Sequence, residues 1–130
     1  MEIVRLERHF GVKLASGQSC APGVLINVNS DGEGLVADDS SSYYAHGIAL
    51  TSGAGTKTAG IAQYIRCSRH AQVDGVGTET GAGLVKGETV YLGENGGYAS
   101  GAPGTIDQKV GFALDTDEVF VDLSSYGLPA

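Results

Sequence analysis

No tryptophan occurs in the 130 residues, and the chain has only two cysteines, three prolines and one methionine. Two cysteines are too few for a disulfide framework, so an ordinary packed core must carry the fold. At this level it stays open whether Cys20 and Cys67 pair or remain thiols. The lack of tryptophan removes the usual aromatic platform for sugars. No apolar run approaches the roughly 20 residues that a membrane-spanning helix needs. The opening Met1-Glu-Ile-Val-Arg-Leu-Glu-Arg-His-Phe10 mixes charges into its apolar residues and does not read as a signal peptide. The expectation is synthesis in a cytoplasm with no membrane partner. Positive charge is also scarce: eight Lys and Arg stand against fifteen Asp and Glu, a net charge of −7. An acidic body repels phosphate backbones, and no basic stripe interleaved with aromatics offsets that, so nucleic acid is not an expected partner.

Glycine is plentiful. The chain has 21, more than twice the usual share of about 7%. They follow no collagen-like period and fall between short runs of Val, Ile, Leu and Tyr, where tight turns need positive φ. The length suits one domain, residues 1–130, and the pattern predicts an all-β fold, a small β-barrel or sandwich. Residues 1–15 read as an extended N-terminal arm or a first strand, with Val12–Ala15 extended.

An internal duplication is expected over residues 23–65 and 87–123. The first repeat runs through strands at Gly23–Val28, Leu35–Ala37, His46–Leu50 and Gly60–Ile65, with the turn Asn29–Gly34 after the first strand. The second runs through Gly87–Leu92, Tyr98–Ser100, Val110–Leu114 and Glu118–Leu123, with the turn Gly93–Gly97. Asp31-Gly32 and Asn95-Gly96 are dipeptides that accept the backbone of tight hairpins. Gly47-Ile-Ala-Leu50 and Gly111-Phe-Ala-Leu114 share three of four residues. The stretch Arg66–Gly75 links the two repeats, and Thr80–Lys86 has room for a short helical turn.

Catalytic constellations are sparse. No Gly-x-Ser-x-Gly elbow exists. Cys67-Ser-Arg-His70 brings a thiol and an imidazole close in sequence, but residues three apart on a strand face opposite ways, which favours a core cysteine and a surface histidine. One Cys-x-x-His lacks a second half-site for zinc. Asp31, Glu33, Asp38 and Asp39 miss the spacing of a calcium loop and read as a solvated acidic turn. The glycines around Gly75-Val-Gly77 lack the lysine and the helix of a phosphate loop. The expectation is a non-enzymatic protein with no metal and no cofactor. Tyr43, Tyr44, Tyr98 and Tyr126 lie in or beside polar segments, where tyrosine suits an interface that is apolar on one side and wet on the other.

The stretch from Gly60 to Leu123 resembles the small capsid decoration, or cement, proteins of tailed bacteriophages. The resemblance rests on Gly60-Ile-Ala-Gln-Tyr-Ile65, Lys86-Gly-Glu-Thr-Val-Tyr-Leu92, Glu94-Asn-Gly-Gly-Tyr98, Lys109-Val-Gly-Phe-Ala-Leu114 and the closing Val119–Leu123. The chain departs from the plainest members in its Ser/Tyr loop at Asp39–Tyr44 and its Cys/His segment. The resemblance implies a structural virion protein on the capsid exterior that binds the major capsid protein, associates with itself as a homotrimer and stabilises the mature shell. The arm residues Arg5, Arg8, Phe10 and Lys13 are then candidate capsid contacts, and the four tyrosines are candidate interface residues. Similar strand and turn signatures occur in tail fibres and spikes, so a tail-associated receptor-binding module is the alternative.

Overall fold

A computed structural model describes residues 9–55, 63–77, 83–101 and 104–123. The fold is all-β: a closed five-strand barrel and two further antiparallel sheets. The strands in chain order are β1 (His9–Leu14), β2 (Ser19–Cys20), β3 (Leu25–Val28), β4 (Glu33–Val36), β5 (Gly47–Ala49), β6 (Gly53–Ala54), β7 (Tyr64–Ser68), β8 (His70–Val73), β9 (Thr89–Leu92), β10 (Tyr98–Ser100), β11 (Lys109–Asp115) and β12 (Glu118–Asp122). The barrel runs β1-β4-β3-β5-β7 and back to β1. The second sheet runs β10-β9-β11-β12-β8, and β2 pairs with β6.

Both five-strand units use one strand order. In the first, β3 pairs with its hairpin partner β4 and with β5, and β5 pairs with β7. In the second, β9 pairs with β10 and β11, and β11 pairs with β12. The registers also correspond. Ile26↔Val36 and Leu25↔Ile48 become Val90↔Ser100 and Thr89↔Phe112, every residue 64 positions later. Ala49↔Cys67 corresponds to Ala113↔Val119. The fifth strands correspond too: β1 pairs with β7 through Phe10↔Cys67, and β8 with β12 through Val73↔Val119.

The units differ at one seam. In the first, β1 pairs in parallel with β4 at Lys13↔Glu33 and Leu14↔Gly34, which closes the barrel. A Cβ on Gly34 would lie only 3.2 and 3.3 Å from the Val12 and Leu14 side chains, so glycine allows this approach. The position 64 later holds Tyr98. Tyr98 is 5% exposed and its hydroxyl donates to the Gly23 carbonyl at 2.6 Å. On the other side of Gly23, a Cβ there would meet Val73 Cγ1 at 3.1 Å. The second sheet therefore straddles the Gly23 segment, and β8 and β10 stay apart.

The core has two compartments. Val12, Leu14, Ile26, Ala49, Ile65 and Cys67 fill the barrel. Leu25, Ala37, Ala45 and Ile48 leave its outer side and pack against Val90, Leu92, Val110, Val119 and Val121 of the second sheet. Strand β3 is thus covered on both faces, which is why Leu25 and Ile26 are adjacent and both wholly buried. Burying each contributes roughly 1.5–3 kcal/mol. Two polar clamps join the compartments. The buried Gln108 amide accepts from the Ala45 N–H at 2.7 Å and donates to the Ala45 carbonyl at 2.9 Å. The Arg69 guanidinium donates to the carbonyls of His46 and Leu123 at 2.8 and 3.0 Å.

Several sequence expectations need correction. The strand expected at Gly60–Ile65 runs from Tyr64 to Ser68, and residues 60–62 lie outside the described set. The linking stretch Arg66–Gly75 holds the end of β7 and all of β8. The strand expected at Leu35–Ala37 begins earlier, at Glu33. Residues 80–82 of the expected helical turn are outside the described residues, and 83–86 contain no helix. The turn Gly93–Gly97 does join antiparallel β9 and β10 as expected, with Asn95 at φ 51° and Gly96 at φ 72° in a 3-10 turn over Glu94–Gly96.

Candidate functional site

The two thiols belong to different strands, Cys20 to β2 and Cys67 to β7. Ile65 and Cys67 alternate with Tyr64 and Arg66 along β7, which turns Cys67 into the barrel interior, where it is wholly buried. Burial pushes its thiol up to about 12, with the Cys20 thiol adding to the shift, so at neutral pH it carries no thiolate. His70 belongs to the other sheet, on β8 opposite Asp122. The pair therefore does not converge. Cys20 is half-buried on β2, its pKa also raised by burial, and both cysteines are free thiols.

The acidic residues do not gather. Asp38 accepts from the Ser40 N–H and hydroxyl, Glu33 pairs with Lys13 at 3.6 Å, Asp31 is exposed and Asp39 is buried. Among the described residues no three His, Cys, Asp or Glu side chains are grouped to hold a metal ion. Surface cavities of about 580, 280 and 240 Å³ are open to solvent. The largest is lined by Gln18, Cys20 and Asn95 without a charged group, and the second holds a single carboxylate, Asp74. A general acid and base need two such groups facing one substrate position, and a nucleophile needs its base within hydrogen-bond reach. None of these cavities provides that.

The expected contact residues divide by strand parity. Phe10 and Lys13 belong to barrel strand β1 and not to an extended arm. Phe10 faces inward: a Cβ on Gly47 would lie 2.6 Å from its Cζ. Lys13 faces outward beside Glu33. Arg5, Arg8 and Tyr126 lie outside the described residues. Tyr98 is not a surface residue but a core one, because its position on β10 points at the barrel. Tyr44 is half-buried against the core, and Tyr43 is 45% exposed.

Two surface features were not expected from the sequence. Tyr64 is 69% exposed and shares the outward face of β1 and β7 with Arg66 and Lys13. On the second sheet, Phe112 and Phe120 stack outward with ring centroids 5.6 Å apart. The alternation Tyr64-Ile-Arg-Cys67 carried the first signal, but a strand placed at 60–65 cut through it.

No protein-family model matches this chain, and no curated protein or solved structure does so either.

Proposed function

We propose that this protein is a structural virion component that binds the outer surface of a tailed-phage capsid and stabilises the mature shell. The observation that carries the reading is local. The run from Lys86 to Leu123 that resembles decoration proteins maps onto β9 to β12, one continuous antiparallel sheet clamped to the barrel through Gln108 and Tyr98. A body of close-packed sheets, in which Cys67 is buried in the barrel and His70 lies on the other sheet, suits a role in surface contact. Each copy that binds the assembled lattice but not free subunits shifts the equilibrium toward the mature shell by mass action. In this reading the two five-strand units arose by internal duplication, the partner is the major capsid protein, and the copies associate with one another.

The test is saturable binding of purified protein to expanded heads stripped of their own decoration protein, with resistance to heat and dilution measured alongside. Saturable binding with raised resistance is expected. Absence of binding overturns the proposal, and adsorption to host cells instead would favour the receptor-binding alternative. Removing residues 1–8, which hold Arg5 and Arg8 and leave β1 whole, is expected to weaken head binding without unfolding the domain. Unchanged affinity would reject the arm as a capsid contact.

A further inference from the structure

We propose that copies of this chain associate head to tail, with the outward face of β1 and β7 on one copy receiving the acidic β11–β12 turn of the next. The proposal deepens the self-association in the functional reading and rests on that reading only there.

The receiving face is built from alternation. Ile65 and Cys67 fill the barrel, so Tyr64 and Arg66 project outward, and Lys13 lies across from Tyr64. Opposite Arg66 stands Gly11, with open space where a side chain would be: the nearest atom to an added Cβ is the Ile65 carbonyl oxygen at 3.8 Å. Lys13 is partly neutralised by Glu33 at 3.6 Å. The Arg66 side chain makes no hydrogen bond or ion pair among the described residues. An exposed guanidinium presents a planar fork of donors that matches a carboxylate. Tyr64 beside it adds a large apolar body with a polar tip.

The complementary patch lies on the other unit. Asp115 and Asp117 are exposed at the turn between β11 and β12. The Leu84 N–H donates to the Thr116 carbonyl at 2.8 Å, which holds Val85 beside that turn, and Val85 is 67% exposed. Glu88 adjoins it, accepting from the Val85 N–H at 2.7 Å, and Lys86 offsets one of these three negative charges. Tyr64 and Val85 are the two most exposed large hydrophobic residues in the described structure. Each sits next to charges of opposite sign. A body with net charge −7 repels its copies in general, so a contact that puts one of its cations against an acidic patch is favoured over others. Because the two patches differ, the contact is heterologous and propagates around a ring if the rotation closes.

Sedimentation velocity of the full chain over a concentration series tests this. The expected wild-type result is reversible association to masses above the 13.3 kDa protomer. Arg66→Glu and Asp117→Arg are each expected to weaken association at least tenfold, with unchanged far-UV circular dichroism. The double variant R66E/D117R, which restores an opposite-charge pair across the contact, is expected to recover it. A wild type that stays monomeric, an R66E protein that associates as before, or a double variant that fails to recover would each overturn the interface. A monomeric wild type that still binds heads would overturn the interface while leaving the decoration reading intact.

Discussion

Gln108 is the most informative single position, because its side chain acts in place of a strand. It is 1% exposed, and both ends of its amide are spent on one residue of the other unit, the N–H and the carbonyl of Ala45. Gln108→Leu keeps nearly the same volume but removes both partners. Two buried backbone groups are then stranded, and each unsatisfied group costs about 1–3 kcal/mol. The expected loss is roughly 2–5 kcal/mol, a large share of the ~5–15 kcal/mol that holds a typical domain together. For a chain of this length that lowers the melting temperature by about 10 °C or more. Urea unfolding measures it directly: the midpoint should fall while the slope stays unchanged, since the surface exposed on unfolding is the same. Gln108→Glu provides the control, because it keeps the acceptor for the Ala45 N–H but loses the donor to the Ala45 carbonyl. A loss below about 1 kcal/mol for Gln108→Leu would refute the idea that this amide couples the units.

Gly47→Ala should destabilise by about 1–3 kcal/mol through overpacking, because the new methyl meets the Phe10 ring at 2.6 and 2.9 Å. Phe10→Leu in the same chain should recover part of that loss, and failure to recover would place the clash elsewhere. His46 Nδ1 accepts from the Val28 N–H at 2.8 Å, and burial, with the nearby Arg69 charge, holds its pKa below the ordinary 6.5. The unfolded chain therefore binds the proton first. The His46 contribution is fully present above pH 6.5 and is lost as pH falls below it; urea midpoints across that range should show the decline, and His46→Gln should flatten it. Cys67 should resist a thiol reagent at pH 8 until urea unfolds the domain, whereas Cys20 is open to slow labelling; rapid labelling of both thiols in the native state would contradict the buried assignment.

Local signals made much of the fold legible. Tyr98–Ser100 and the body of the last strand stand where alternation and glycine turns put them, because each pairs with a neighbour across a short connection. What the sequence hid was non-local. His70-Ala-Gln-Val73 carries too few apolar residues to announce a strand, and it becomes one by adding to β12, which is made much later in the chain. The parallel β1–β4 contact has no local signature either. The apolar run Gly60-Ile-Ala draws the expected strand ahead of β7 and so hides the outward pair Tyr64 and Arg66. Tyr98 misled for a related reason. Its sequence neighbours are small residues, Gly97, Ala99 and Ser100, while its environment is set by the packing of the second sheet against Gly23. The repeat itself held the missing clue, since a tyrosine stands where the first unit has an inward-facing glycine.

That exchange explains the architecture. Given one strand order and one register, a five-strand sheet closes when the strands at its two ends can approach. Gly34 lets β4 lie against Val12 and Leu14, and the first unit becomes a barrel. Tyr98 puts a ring at the same place, and that ring is spent on a hydrogen bond to the barrel's own Gly23 segment. The second unit stays open because it is holding the first. Its inner face then covers Leu25 and Ile48, whereas the position equivalent to Ile48, Phe112, is left facing solvent at 38% exposure. Two units of one strand order thus present two unlike faces, and unlike faces are what a protein needs if it is to touch a surface on one side and its own copies on another.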